Sequence, residues 1–334
     1  MSTIKDIAKD TGLSTATISK YLSGKPIKAH NKEIIRTSIE KLGYIPNTAA
    51  QSLRSRRTNA VCIFMPSLND YFWGALCNEL EDQLRKNNYF SIIRFYAEDS
   101  ANFYDEQHFL QSRQVDGVIF IPSTYVTANF ASLIKKADIP FVYIDQLYAI
   151  TPSDGVTSAN ARTAEQAVDY LIAHGHRRIG VIGGDRSSYT VTERYNGCRN
   201  SFRSHGLPEE DLLYLAGYFS MHSGNELSNT LLSMPNPPTA ILSLGSNLTL
   251  GVLMSLPGKG LSIPRDFSFI SFDDDQIFPA FDPPITVFHQ DFPAIASQAV
   301  QILLRRIHGD YTDFPLSVQI PTQFIERNSV RDIR

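Results

Sequence analysis

Hydrophobic and polar positions recur at helical spacing over the first residues of this chain. The apolar stripe of a first helix is formed by Ile4, Ile7, Ala8 and Thr11. Thr3 followed by Asp6 is typical of a helix start, Gly12 ends the helix, and Ser14 suits the N-cap of a second one. A third helix is predicted over residues 31–42. Two short helices joined by so tight a turn indicate a helix-turn-helix.

The second predicted helix has two unlike faces. Ile18 and Leu22 share the face that can bury against the first helix. The opposite face carries small residues and one long cation, namely Thr15, Ala16, Ser19 and Lys20. Small residues let a helix backbone approach base edges in the major groove, and a long donor suits guanine. An ordinary amphipathic hairpin would explain the apolar face but not the small polar one.

From Ala60 onward the pattern changes to short apolar runs that alternate with helical segments. AVCIFMP, FSIIRFY, VDGVIFIP and PFVYID form a first series, and after Asn160 the alternation restarts with RIGVIGG, LLYLAG, TAILSLG and FSFISFD. Strands alternating with helices predict parallel sheets joined by crossover helices. The sequence therefore predicts an α/β body with two lobes.

Composition adds a charge asymmetry to this picture. The 334 residues carry a net charge of −3, yet residues 1–57 hold eleven lysines and arginines against four acidic residues, a surplus of +7. A basic head on an acidic body is typical of a nucleic-acid module joined to something else. Cys62, Cys77 and Cys198 have unrelated spacings, which favours reduced thiols in a cytoplasmic protein. We expect no secretory signal and no membrane span, because no long apolar run occurs.

Several motifs together resemble one family of proteins. They are TIKDIAKDTGLSTATISKYLSG, YIPN, AAQSL, AHGHRRIGVIGG, ERYNG, GLSIPRDFSFISFDD and DPPITVFHQDF. They are similar to the lactose-repressor/galactose-repressor (LacI/GalR) family of bacterial transcription regulators. The resemblance implies a small all-α helix-turn-helix head at 1–46, a hinge at 47–58, and an effector-binding and dimerisation domain at 59–334 that resembles a periplasmic binding protein. Its N-lobe would comprise about 59–159 and 291–320, and its C-lobe about 160–289 and 321–334.

The same resemblance implies a set of DNA contacts. Thr15, Ala16 and Lys20 would read bases, and the backbone would be held by Ile4, Ser14, Thr17, Ser19 and Asn31. In the hinge, Leu53 would wedge into the minor groove with Ala50 beside it, and Arg54 would meet phosphates. The family usually has arginine at the position of Lys20, and lysine lacks its bidentate fork.

The resemblance also implies a ligand site between the lobes. Its residues would be Phe72, Trp73, Asp145, Arg194, Phe219, Ser246, Asp273, Gln290 and Phe292. Carboxylates and a guanidinium suit vicinal hydroxyls, and flat rings suit the apolar face of a sugar. Gly245 and Ser246 stand where the family often has Asn-Asp, so the identity of the effector does not carry over.

These patterns predict a homodimeric repressor of carbohydrate-utilisation genes. Its partners would be a pseudo-palindromic operator and a small effector of the sugar class, and the sequence leaves a tetramer open as an alternative to the dimer. A regulator controlled by a phosphorylated carrier protein and a transport-type sugar-binding protein are the alternatives. We expect no enzyme, cofactor or metal, because phosphate-loop, zinc-protease and hydrolase motifs are absent from the sequence.

Overall fold

The computed structural model describes residues 2–22, 25–44, 57–96, 104–112, 114–122, 133, 136–146 and 152–334. The chain divides into two compact units, residues 1–58 and 59–334. The predicted hinge contacts Ala50, Leu53 and Arg54 lie outside the described residues. Within the described ranges no helix combines the length and apolar character needed to cross a bilayer.

The described residues of the first unit form three helices, α1 (Ile4–Thr11), α2 (Thr15–Leu22) and α3 (Ala29–Leu42). Their contact is centred on the fully buried side chains of Ile7, Ile18 and Ile35. The carboxylate of Asp6 accepts the backbone N–H of Thr3 at 2.8 Å, as the sequence predicts for the start of α1. Ser14 caps α2, because its hydroxyl accepts the backbone N–H of Thr17 at 3.2 Å.

The second unit, which we call the body, alternates strands and helices. In chain order they are β1 (Ala60–Met65), α4 (Tyr71–Lys86), β2 (Phe90–Phe95), α5 (Tyr104–Gln111), β3 (Gly117–Phe120), β4 (Phe141–Ile144), β5 (Asp154–Ser158), α6 (Asn160–Ala173), β6 (Ile179–Gly183), α7 (Tyr189–Ser204), β7 (Leu212–Ala216), α8 (Met221–Leu232), β8 (Ala240–Ser243), α9 (Ser246–Ser255), β9 (Ser268–Phe272), β10 (Thr286–Gln290), α10 (Phe292–Ile307), β11 (Ser317–Ile320) and β12 (Thr322–Ile325).

These strands form two six-stranded sheets, and each sheet defines a lobe. The N-lobe sheet has the order β11-β5-β4-β3-β1-β2 and the C-lobe sheet has the order β12-β10-β9-β8-β6-β7. Every pairing is parallel except that of β12 with β10. Each sheet carries a hydrophobic cluster on both faces, as parallel sheets require. The class of fold is therefore α/β, with two lobes of this kind and a helical head.

The chain passes between the lobes three times. It crosses at Ala159 between β5 and α6, at Asp291 between β10 and α10, and at Pro321 between β11 and β12. The antiparallel pairing of β12 with β10 follows from these crossings, because β10 ends at the crossing at Asp291 whereas β12 begins at the crossing at Pro321. Three connecting segments thus join the two lobes.

Candidate functional site

In the head, α2 turns its small polar face to solvent. Thr15, Ala16 and Lys20 are exposed, whereas Ile18 is fully buried. The residues expected to hold the DNA backbone lie around this face or on neighbouring helices: Ile4, Ser14, Thr17, Ser19 and Asn31. Ile4 also packs partly against the core of the head. The arrangement presents one helix face of small side chains with a single cation near its end.

In the body, the carboxyl ends of both sheets face a shared cavity of about 470 Å³ between the lobes. Such ends are where open α/β sheets bind ligands. Eight of the nine expected ligand residues line it, namely Phe72, Trp73, Asp145, Arg194, Phe219, Ser246, Asp273 and Gln290. The volume falls in the range of small-molecule sites.

Two aspartates occupy equivalent places in the two lobes. Asp145 follows β4 and Asp273 follows β9, and both have the left-handed backbone, with φ of 69° and 71°. This conformation turns the chain sharply at the strand end, and aspartate tolerates it better than most residues do. Burial raises the pKa of Asp145 to about 6, although Arg194 opposes the shift. Burial likewise raises the pKa of Asp273, against Arg194 and the amide of Gln290.

Arg194 of α7 lines the same cavity and interacts electrostatically with both carboxylates. Its side chain is buried, with Nε donating to Asn160 Oδ1 at 2.8 Å and Nη1 to the carbonyl of Leu244 at 2.7 Å. The guanidinium lies 3.7 Å from the ring centroid of Phe272. These contacts fix the cation in place before any ligand arrives.

Phe219 forms an apolar wall of the cavity because two glycines leave room for its ring. A Cβ added to Gly184 would lie 2.5 Å from Phe219, and one added to Gly245 would lie 2.8 Å from it. Both separations are too short for any real side chain. The departure from the family pattern at Gly245 therefore has a physical reason: a larger residue there would displace the ring.

Phe292 was expected among the ligand residues, and the structure places it elsewhere. Its ring is buried in the N-lobe core and meets Phe72 edge-on at 5.4 Å between centroids. Phe72 in turn meets Trp73 at 4.7 Å. Phe292 is thus outside the cavity lining and supports the rings that line it, because α10 turns its first residue toward α4 rather than toward the cleft.

The structure adds residues that the sequence analysis missed. Asp70 caps α4 by accepting the N–H of Phe72 at 2.8 Å, and it also accepts a hydrogen bond from Asn247 Nδ2 of the other lobe at 2.6 Å. A second bridge runs from Gln146 Nε2 to the hydroxyl of Ser188 at 2.8 Å. An aspartate directly before a helix that opens with three aromatic residues was the available signal for Asp70.

Asp70→Asn is expected to stabilise the body near neutral pH. Burial, with Asp273 and Asp275 nearby, raises the pKa of Asp70 to about 6. The folded state therefore binds this proton more tightly than the unfolded chain, so ionisation costs stability as the pH rises from about 4 to 6 and beyond. Asparagine cannot ionise but still caps a helix, so the unfolding free energy should rise by about 1–2 kcal/mol at pH 7.5 and little at pH 4.5.

Chemical unfolding at the two pH values measures this difference. Asp291→Asn is the matched control, because Asp291 caps α10 by accepting the N–H of Ala294 at 2.9 Å but does not line the cavity. Equal effects of the two substitutions at pH 7.5 would contradict the assignment of the cost to burial of Asp70.

A helix-turn-helix head joined to a two-lobed α/β body is the domain organisation of a DNA-binding transcription regulator. Comparison with known proteins agrees: residues 3–47 match the lacI family of bacterial regulatory proteins, and residues 168–330 match the periplasmic binding protein-like domain. The probable HTH-type transcriptional regulator EndR of Paenibacillus polymyxa is 30% identical over 92% of this chain and 91% of its own length. The chain belongs to the lacI family.

Two further likenesses cover almost the whole chain. The HTH-type transcriptional repressor PurR of Actinobacillus pleuropneumoniae is 29% identical over 100% of this chain and 99% of its own length. A structure of the lac repressor dimer bound to operator and the anti-inducer ONPF superposes with a TM-score of 0.83 at 20% identity, covering 99% of each chain. The relatives are transcriptional regulators and repressors rather than enzymes, and this protein is a DNA-binding transcription regulator of that family.

Proposed function

We propose that the protein represses transcription as a homodimer on a pseudo-palindromic operator and is released or retained by a sugar bound in its cavity. The DNA-reading part of this proposal rests on the exposed face of α2, with Thr15 and Ala16 against the bases and Lys20 as the long donor. Residues 47–58 would form the hinge, with Leu53 as the minor-groove wedge. A regulator of chromosomal genes acts in the cytoplasm.

Exposed apolar side chains in both lobes support the dimer. On the edge strand β2, Phe90 is 66% exposed, and Ile93 and Phe95 are also exposed. In the C-lobe, Met254 is 69% exposed and Met221 is exposed as well. An edge strand with exposed phenylalanines favours pairing with another chain, and a second copy is the occupant that a two-fold operator needs.

The composition of the cavity supports a sugar effector. Asp145, Asp273 and Arg194 offer charged hydrogen-bonding groups, and Phe219 and Trp73 offer ring faces. Asp145 belongs to one lobe and Arg194 to the other, so a ligand that contacts both favours one angle between the lobes. Coupling of this kind typically changes affinity at the second site by roughly 5- to 150-fold. A transport-type protein does not fit a chain whose residues 3–47 match a DNA-binding family.

Lys20→Ala is expected to weaken binding to the cognate operator by about 1–3 kcal/mol and binding to random DNA much less. The loss is specific to the operator because Lys20 would contact a base there that random DNA does not present at the same position. Fluorescence anisotropy on both duplexes at several salt concentrations measures it, because phosphate contacts alone would change the salt slope.

Lys41→Ala serves as the control, since Lys41 lies at the end of α3 and pairs with Asp10 at 2.6 Å. It should leave the preference for operator over random DNA unchanged. An equal loss on both duplexes for Lys20→Ala would show a phosphate contact only, and absence of any operator preference in the intact protein would end the proposal.

A further inference from the structure

The cavity has an unequal charge inventory. Among the described residues that line it, Arg194 is the single cation, and the same lining contains four carboxylates, those of Asp70, Asp145, Asp185 and Asp273. No lysine or histidine is present in this described lining. The charge is therefore negative wherever these carboxylates are ionised.

Arg194 offsets only part of this excess, because it supplies one positive charge against four carboxylates. Its Nε hydrogen and one Nη1 hydrogen are already donated to Asn160 and Leu244, and its charge interacts with both Asp145 and Asp273. The carboxylates also act on one another, since Asp273 helps to raise the pKa of Asp70 and of Asp145. Groups that already oppose one another's ionisation oppose a further negative charge in the same space.

We propose that this cavity selects its ligand by charge, admitting uncharged polyhydroxyl compounds and excluding their phosphorylated forms. This rests on the proposed function, in which the cavity is the effector site. Two like unit charges about 6 Å apart in partly buried surroundings weaken binding by roughly 100-fold. A regulator with this filter responds to a free sugar before phosphoryl transfer from a kinase-type reaction consumes it.

The sequence supplies a probe for the filter that needs no known effector. Trp73 is the one tryptophan of the chain, and it lines the cavity in a half-buried position. Its fluorescence can be quenched by iodide, by caesium and by neutral acrylamide, each normalised to free tryptophan amide. Iodide is an anion and caesium is a cation, so the ratio of their normalised quenching constants reports the local electrostatic potential at the Trp73 ring.

We expect iodide to quench Trp73 at least about threefold less than caesium at pH 7.5, with acrylamide between them. Asp70→Asn should raise iodide quenching by about twofold. Asp291→Asn removes the same charge from the body but not from the cavity, and should change little. Equal quenching by the two ions, or equal changes in the two variants, would overturn the filter, because the effect would then belong to the body as a whole.

The second arm uses matched ligands, namely ribose with ribose 5-phosphate and glucose with glucose 6-phosphate. Binding is followed by Trp73 fluorescence and by thermal shift. A free sugar that binds at least about 100-fold more tightly than its phosphate supports the filter. A phosphate that binds as tightly overturns it but leaves the effector site intact. If iodide is excluded but neither free sugar binds, the claim that the cavity admits uncharged polyhydroxyl compounds is overturned. The sugar effector of the proposed function is then overturned as well.

Discussion

Arg194→Ala is expected to abolish the effector response, with effector binding weakened at least about 100-fold and operator affinity without effector near the wild-type value. The guanidinium is buried, interacts electrostatically with Asp145 and Asp273, and is the one cation in the described cavity lining. Its removal leaves two carboxylates without an opposing charge, so their pKa values should rise further and they should take up protons. A ligand then loses both a donor and two ionised acceptors.

Operator titration of this variant with and without a sugar effector measures the loss. Arg194→Gln is a milder second variant, because glutamine keeps one donor for the carbonyl of Leu244. Arg186→Ala is the matched control: Arg186 precedes the same helix, is exposed, and lies over the ring of Tyr195 at 4.7 Å, outside the cavity lining. If Arg194→Ala still responds at the wild-type effector concentration while it remains folded, the effector binds elsewhere.

Gly251→Ala should destabilise the body by about 3 kcal/mol. Helices α8 and α9 cross so closely that a Cβ on Gly251 would lie 2.0 Å from the carbonyl oxygen of Met221. A Cβ on Gly224 would lie 2.1 Å from the carbonyl oxygen of Leu248. Backbone atoms cannot rotate away as a flexible side chain can, so the two helices must separate.

Gly258→Ala is the control, because a Cβ on Gly258 meets no atom within 4 Å and its backbone is not left-handed. It should leave the midpoint of denaturant unfolding almost unchanged. Since Met221 and Met254 are exposed on these two helices, Gly251→Ala should also weaken self-association, which analytical ultracentrifugation measures. A variant as stable as the wild type would show that the crossing is looser than described.

Helices and strands of this fold were predictable from the sequence wherever apolar residues formed a clear run or recurred at regular spacing. The apolar runs before Pro66 and Asp145 form β1 and β4 as expected. Strand β5 was not predicted, because DGVTS is polar although every residue of it is buried. In strand β5, Asp154 forms a fully buried ion pair with Arg306 at 2.7 Å, across 152 positions of sequence. A local sequence pattern cannot predict a pair between residues so far apart in the chain.

The candidate site likewise contains residues that could be predicted from the sequence and residues that could not. Residues that directly follow strands, such as Asp145 and Asp273, could be placed together because parallel strands end at one edge. The bridge between Asp70 and Asn247 could not, since 177 positions separate the two residues. Phe292 differs from them: the sequence places it near the cleft, but its ring packs against Phe72 and lies outside the described cavity lining.

The three passages of chain between the lobes constrain how this protein can be made. The N-lobe sheet is incomplete until β11 ends at Ile320, and the C-lobe sheet until β12 ends at Ile325. A ribosome therefore completes the edge strands β11 and β12 within a few residues of each other, after nearly all of the body has been synthesised. Neither lobe corresponds to a continuous stretch of the gene, so a truncation that removes residues beyond 316 should leave β5 and β10 as newly unpaired edge strands.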